Sequence, residues 1–270
     1  MEISLYQIDA FASELFEGNP AAVCPLGDWL PDETMQSIAA ENNLSETAFF
    51  VPKGNGFHIR WFTPLSEVDL CGHATLATAY VLFNILSYQF DKIEFDSRSG
   101  MLVVARDGDR LVMDFPAQPP VACDIPAEIV EAFEAAPVEC LKSEDLIVVF
   151  DRESDIESAD PDYELLKKLE WRGVVITAKS SRYDFVARFF APKYGIPEDP
   201  VTGSAYTQLA PYWASRTGSK KFSVKQLSSR GGELRCELVG DRVLISGRAV
   251  KYMEGKIEIK ALGRSANSRT

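Results

Sequence analysis

The chain has 270 residues, enough for one large domain or two small ones with a full core. Its formal net charge is −12, from 28 basic and 40 acidic residues with no basic block, so nucleic acid and anionic membrane are poor partners. No apolar run approaches the roughly 18 residues that span a bilayer, Met1–Tyr6 reads as a first strand and not a signal peptide, and five scattered cysteines without a C-x-x-C pair predict a reducing cytoplasm.

Residues 1–10 alternate like a strand, and Phe11–Pro20 is a loop ahead of a buried strand at Ala21–Cys24. Pro31-Asp32-Glu33 opens a helix through Asn42, with proline at a favoured first-turn position. Strands are predicted at Glu46–Val51 and Phe57–Phe62 around a Lys53-Gly54-Asn55-Gly56 turn. Ala74–Leu86 is an apolar helix, followed by strands near Lys92–Phe95, Met101–Arg106 and Arg110–Phe115. Pro116, Pro119, Pro120 and Pro126 punctuate a linker, which divides the chain into an N-terminal lobe over 1–116 and a C-terminal lobe over 117–270. The second lobe reads as a helix at Ile125–Ala136, a strand at Asp145–Phe150, a helix at Tyr163–Leu169, strands at Gly173–Ala178 and Phe185–Phe190, and a helix at Ser204–Arg216. Strand-like stretches from Lys221 to Lys260 follow, and Ser265–Thr270 reads as a frayed tail.

One strand–loop–helix unit occurs twice. Arg60-Trp61-Phe62-Thr63-Pro64 leads to Asp69-Leu70-Cys71-Gly72-His73-Ala74, and Arg188-Phe189-Phe190-Ala191-Pro192 leads to Glu198-Asp199-Pro200-Val201-Thr202-Gly203-Ser204-Ala205. Each helix start offers free amides and about half a positive charge, which suits a carboxylate or enolate. Gly72, Gly203 and Ser204 are therefore candidate substrate-binding positions, although either glycine alone could serve only to shape a turn. Glu46 precedes a hydrophobic strand, where burial would raise its pKa and fit it for acid–base work; a surface carboxylate at a strand start is the plainer alternative. His73 could hydrogen-bond a substrate or be structural, and Asp199 could orient a substrate or cap a loop. His58, on an alternating strand, reads as structural. Cys71 could be sensitised by the helix start, but the second unit has Thr202 at that place, which disfavours a two-thiol racemase. Arg230, in a glycine-rich turn, could reach a carboxylate or lie solvated. Two distant histidines and scattered acids give no metal-ligand spacing, and neither nucleotide-binding glycine motif is present.

Together these motifs resemble the phenazine-biosynthesis PhzF-like isomerase family, which has the diaminopimelate-epimerase-like fold. The similar segments also include Gly18-Asn19-Pro20-Ala21-Ala22-Val23, Asn43-Leu44-Ser45-Glu46-Thr47-Ala48-Phe49 and Ser229-Arg230-Gly231-Gly232, and they run in family order along nearly the whole chain. The resemblance implies an α/β (α+β) fold of two similar lobes, each a mixed barrel-like sheet around a central helix, with the site in the cleft between them and lobe closure on the ligand. The last strand is expected to return to the first lobe. The family's acid/base glutamate falls on Glu46, its substrate-binding histidine on His73 and its aspartate on Asp199. Its best-known member isomerises dihydro-3-hydroxyanthranilate without a cofactor. The expectation is thus a cofactor-independent, metal-free cytoplasmic isomerase acting on a small carboxylated metabolite, assembled as a homodimer. An epimerase or racemase on the same fold and a non-catalytic metabolite-binding protein are the alternatives.

Overall fold

A computed structural model describes residues 1–259. Lys260 and the predicted tail at Ser265–Thr270 lie outside the described residues. The first half comprises β1 (Glu2–Ala10), β2 (Asn19–Pro25), α1 (Asp32–Asn42), β3 (Glu46–Lys53), β4 (Gly56–Phe62), β5 (Glu67–Val68), α2 (Gly72–Tyr80), β6 (Lys92–Ser97), β7 (Gly100–Asp107), β8 (Arg110–Pro116) and β9 (Val121–Ala122). The second comprises α3 (Ala127–Ala132), β10 (Glu139–Lys142), β11 (Leu146–Val149), α4 (Glu153–Glu157), α5 (Tyr163–Leu166), β12 (Val174–Lys179), β13 (Phe185–Ala191), β14 (Ile196–Asp199), α6 (Tyr206–Thr217), β15 (Lys221–Gln226), β16 (Gly232–Val239), β17 (Arg242–Gly247) and β18 (Ala249–Glu258). Among the described residues no helix is long and apolar enough to cross a membrane.

The strand pairing repeats between the halves. β1 pairs antiparallel with β2, β2 parallel with β3, β3 antiparallel with β4, and β4 parallel with β6. In the second half β10–β11, β11–β12, β12–β13 and β13–β15 repeat that order of directions. Antiparallel runs β6–β7–β8 and β15–β16–β17 finish the two units, and β8 and β17 pair with each other. The strand after each run crosses over: β9 pairs with β10 of the second half, and β18 pairs with β1 of the first.

Each unit wraps one central helix. Seven consecutive residues of α2, His73–Ala79, are buried, so this helix is enclosed all round and not amphipathic. It shares a core with Tyr206, Leu209 and Trp213 of α6. The outer sheet faces are covered separately, by Met35 and Ile38 of α1 in the first half and by α3, α4 and α5 in the second.

Several boundaries differ from the sequence expectation. The apolar helix is α-helical only to Tyr80 and continues as a π-helical turn, Val81–Ile85. The predicted helix Ile125–Ala136 is confined to Ala127–Ala132, because Phe133 turns extended and places its ring 5.6 Å from that of Phe150 in the core. Tertiary packing outweighs local propensity there. The helix expected from Ser204 begins with a 3₁₀ turn, Gly203–Ala205, and becomes regular at Tyr206. α1 matches closely: it ends at Asn43, whose left-handed backbone (φ 50°) lets its amide bond Ala39 O.

Candidate active site

Glu46 is the first residue of β3, opposite Ala21 of the parallel strand β2. His73 is the second residue of α2, and Asp199 is the last of β14. The fold brings the three into one cluster. His73 Nε2 is 3.0 Å from Glu46 Oε2, with the side chains 7% and 12% exposed. The alignment makes no hydrogen bond, and that buried carboxylate oxygen has no other partner. On the other edge of the imidazole, Asn19 Nδ2 lies 3.3 Å from Nδ1. The same amide donates to Asp199 Oδ1 at 2.8 Å and to Val201 O at 3.1 Å, so a fully buried asparagine links the acid–base pair to the second loop.

Burial works against a cation at His73, but Cys71 and Glu46 outweigh it and hold the imidazole well above its ordinary value. The Cys71 thiol is itself pushed up to about 11, chiefly by burial and then by Glu46. It is therefore neutral at neutral pH, and Glu46 carries the effect on His73. Asp199 is raised to about 6, first by burial and then by Glu46, against the pull of His73, Thr202 and Asn19. Thr202 Oγ1 donates to Asp199 Oδ2.

The two glycine loops meet at this cluster, since the Gly203–Ala205 turn packs against α2. A Cβ at Gly72 would meet no atom within 4 Å, so the space beside that loop is open. Gly203 is buried beside Phe11, whose ring would lie 3.6 Å from an added Cβ. Ser204 Oγ accepts a 3.0 Å hydrogen bond from Arg172 Nη2, which leaves its own proton free to donate. Arg172 is in turn fixed by both oxygens of the fully buried Asp145, at 2.8 and 2.6 Å.

Sequence reasoning gave no role to Asn19, Thr202, Gln226 or Arg172. Gln226 is 1% exposed; its Oε1 accepts from Thr202 N at 3.0 Å and its Nε2 donates to Asp199 O at 2.8 Å, which holds the second loop in place. Asn19 and Thr202 had a visible signal, the one in Gly18-Asn19-Pro20 just ahead of a buried strand and the other in Thr202-Gly203-Ser204. Glu46, Cys71 and His73 also bring one oxygen, one sulfur and one nitrogen within 4.8 Å of one another, a grouping able to hold a cation that linear spacing did not disclose. His58 lies apart, packed edge-on to Trp29 at 5.0 Å. Arg230 does bind a carboxylate, but the protein's own: Asp9 Oδ1 at 2.9 Å, with the carbonyls of Gly18 and Glu17.

Duplicated sheet units around central helices, with an acid–base cluster where the two loops meet, define a protein of the diaminopimelate-epimerase-like fold. A hydroxyproline epimerase from Agrobacterium vitis shares that fold at a TM-score of 0.60 and 10% identity, over 95% of this chain and 92% of that one. The nearer relationship is closer still. The model of the PhzC-PhzF family, phenazine biosynthesis-like protein, matches residues 8–255, and the chain belongs to that family. An uncharacterized isomerase of Pseudomonas aeruginosa is 53% identical over 259 residues, 96% of this chain and 100% of the relative. The crystal structure of a PhzF-family protein from Enterococcus faecalis superposes with a TM-score of 0.94 at 45% identity, over 96% of this chain and 100% of that one.

Proposed function

We propose that the chain is a cofactor-independent isomerase that moves a proton between two carbons of a small carboxylated metabolite. One observation carries the reading: the duplicated scaffold holds a single acid/base. Thr47 pairs with Phe62 in the first half and Val174 with Phe190 in the second, so Glu46, one residue before Thr47, corresponds to Gly173. A glycine, with no side chain at all, stands where the first half has its carboxylate. Likewise the Cys71-Gly72-His73 loop is answered by Thr202-Gly203-Ser204. An epimerase that works from two faces needs a proton donor on each wall; a proton shift along one face needs one.

In this reading the unpartnered Oε2 of Glu46 takes the proton from one carbon and returns it to another. The His73 cation stabilises the carboxylate between turnovers, and Asp199, held by Asn19 beside the imidazole, adds negative charge on its other side. The amides at Gly72 and Gly203 and the Ser204 hydroxyl receive the substrate carboxylate and the charge that develops on proton removal. The five cysteines are all free thiols, which suits work in the cytoplasm. The test is carbon-bound deuterium uptake in D₂O, starting with dihydro-3-hydroxyanthranilate and extending to other small unsaturated carboxylates. Uptake with migration of the double bond, reduced about 10²–10⁴-fold by Glu46→Gln, supports the reading. Inversion at one carbon with unchanged connectivity would make the protein an epimerase, and binding without uptake would make it a carrier.

A further inference from the structure

A second polar pocket of about 230 Å³ lies away from the cluster, where the β7–β8 turn meets the C-terminal end of the central helix. Its polar lining is Tyr80, Asn84, Arg106, Asp109 and Arg110. Asn84 lies in the π-helical turn, a feature often found at functional sites. Arg110 is only 9% exposed, yet no carboxylate pairs with it among the described residues. Its neighbours aggravate its position, because Arg235 and Arg248 add like charge and only Asp109 and Glu233 oppose it. Both acids are already engaged. Asp109 is held by Arg248 Nε at 2.5 Å, and Glu233 takes the Tyr183 hydroxyl at 2.5 Å. Arg106 also lacks a carboxylate and is steadied instead by the Phe83 ring, 4.6 Å from its Cζ.

This pairing pattern is unusual for the chain. Of the thirteen arginines within residues 1–259, nine form an ion pair. The four that do not are Arg106, Arg110, Arg182 and Arg235. Two of these line the pocket and a third, Arg235, is close enough to press on Arg110, in a protein with 40 acidic residues to choose from. A mostly buried arginine without a counter-charge is poorly placed, and an anion bound where its guanidinium meets the pocket would supply one. The other explanation is service to the negative end of the central helix, but neither Arg106 nor Arg110 donates a hydrogen bond to that helix's last carbonyls among the described residues.

We propose that this pocket binds a small oxyanion, the phosphate or carboxylate group of a metabolite, at the end of the β7–β8 hairpin that Arg106 and Arg110 line together with Tyr80 and Asn84. A pocket of this size admits a phosphate or a short dicarboxylate; larger ligands need several hundred Å³. The test is a titration of the intact protein with inorganic phosphate, and separately with succinate, at constant ionic strength set by chloride. Amide NMR signals of Gly108 and Leu111 and the side-chain amide of Asn84 should move and saturate with a roughly millimolar or tighter constant, while Gly72 and Gly203 stay in place. Phosphate without succinate marks a phosphate site, and the reverse marks a carboxylate site. Arg106→Met, on an exposed side chain whose loss should not affect folding, should weaken binding at least tenfold, and Arg182→Met should not change it. Saturation unchanged by Arg106→Met, non-saturating shifts with both anions, or shifts confined to Gly72 and Gly203 would overturn the proposal.

Discussion

Replacing Glu46 by Gln tests the charge logic of the site without any substrate. The variant keeps the shape of the side chain and removes one charge 3.0 Å from His73 Nε2. At an effective permittivity of about 20 that attraction is worth about 5 kcal/mol, which is a ceiling because solvent and neighbours relax. In the wild type His73 is raised above its ordinary value of 6.5. A raised histidine contributes stability that is fully present below about 6.5 and is lost as pH rises through the folded-state value. In the variant burial outweighs what Asp199 and the neutral Cys71 thiol still contribute, so the imidazole's pKa should drop below the ordinary value, and acid should then destabilise the fold. The stability gap between the two proteins should be widest near pH 5 and close as pH rises. At about 2 °C per kcal/mol for a chain of this length, the ceiling is a melting difference of roughly 10 °C. The direct assay is an NMR pH titration of the imidazole carbons, which is simple because the chain has two histidines; His58→Gln assigns the pair. A His73 that still titrates above 6.5 in Glu46→Gln, or a melting gap that does not vary with pH, would refute the account.

Asp199 gives an independent pH signature. Its pKa is raised from 3.8 to about 6, so the folded state binds that proton more tightly and stability should fall as pH rises from about 4 to 6; urea midpoints across that window should show a slope that Asp199→Asn removes. Arg230→Met should destabilise the protein by about 3–5 kcal/mol, because Asp9 is 2% exposed and would be left as a buried, unpaired carboxylate; urea unfolding at neutral pH measures it, and a loss under 1 kcal/mol would show Asp9 to be rescued by water. Gly247→Ala should cost about 1–3 kcal/mol, since its Cβ would overlap the fully buried Phe11 ring, whereas Gly72→Ala should leave the denaturation midpoint nearly unchanged.

Much of the scaffold was legible in the sequence because local rules and tertiary packing agree there. Alternation marked β1, Pro31-Asp32-Glu33 marked α1, and the largely apolar run from Ala74 marked α2. The reading failed where a distant partner decides the conformation, as at Phe133, whose ring is drawn into the core between Phe150 and Phe190. The site divides in the same way. Glu46, His73 and Asp199 sit in motifs that a linear reading can find. Asn19 and Asp199 are 180 residues apart, and Gln226 reaches Thr202 only because β15 pairs with β13. Such contacts follow from register between distant strands, which no spacing rule encodes.

The same register explains why duplication produced one site and not two. β9 completes the sheet of the second half and β18 completes that of the first, so neither half closes its own edge. The halves therefore fold as one body, and each loop is free to specialise because the other remains beside it. The first half has Glu46 and His73, while the second has Gly173 and Ser204 at the matching places and Asp199 at the end of β14. Asn19 spans the junction: it begins β2 in the first half, and of its four side-chain contacts two, Asp199 and Val201, lie in the second. Its amide has two protons, which Asp199 Oδ1 and Val201 O take while His73 is a cation; Nδ1 can accept one only when the imidazole is neutral. A shift of the second loop that releases an amide proton therefore favours the neutral imidazole, and this ties the protonation of the acid–base pair to the closeness of the two loops.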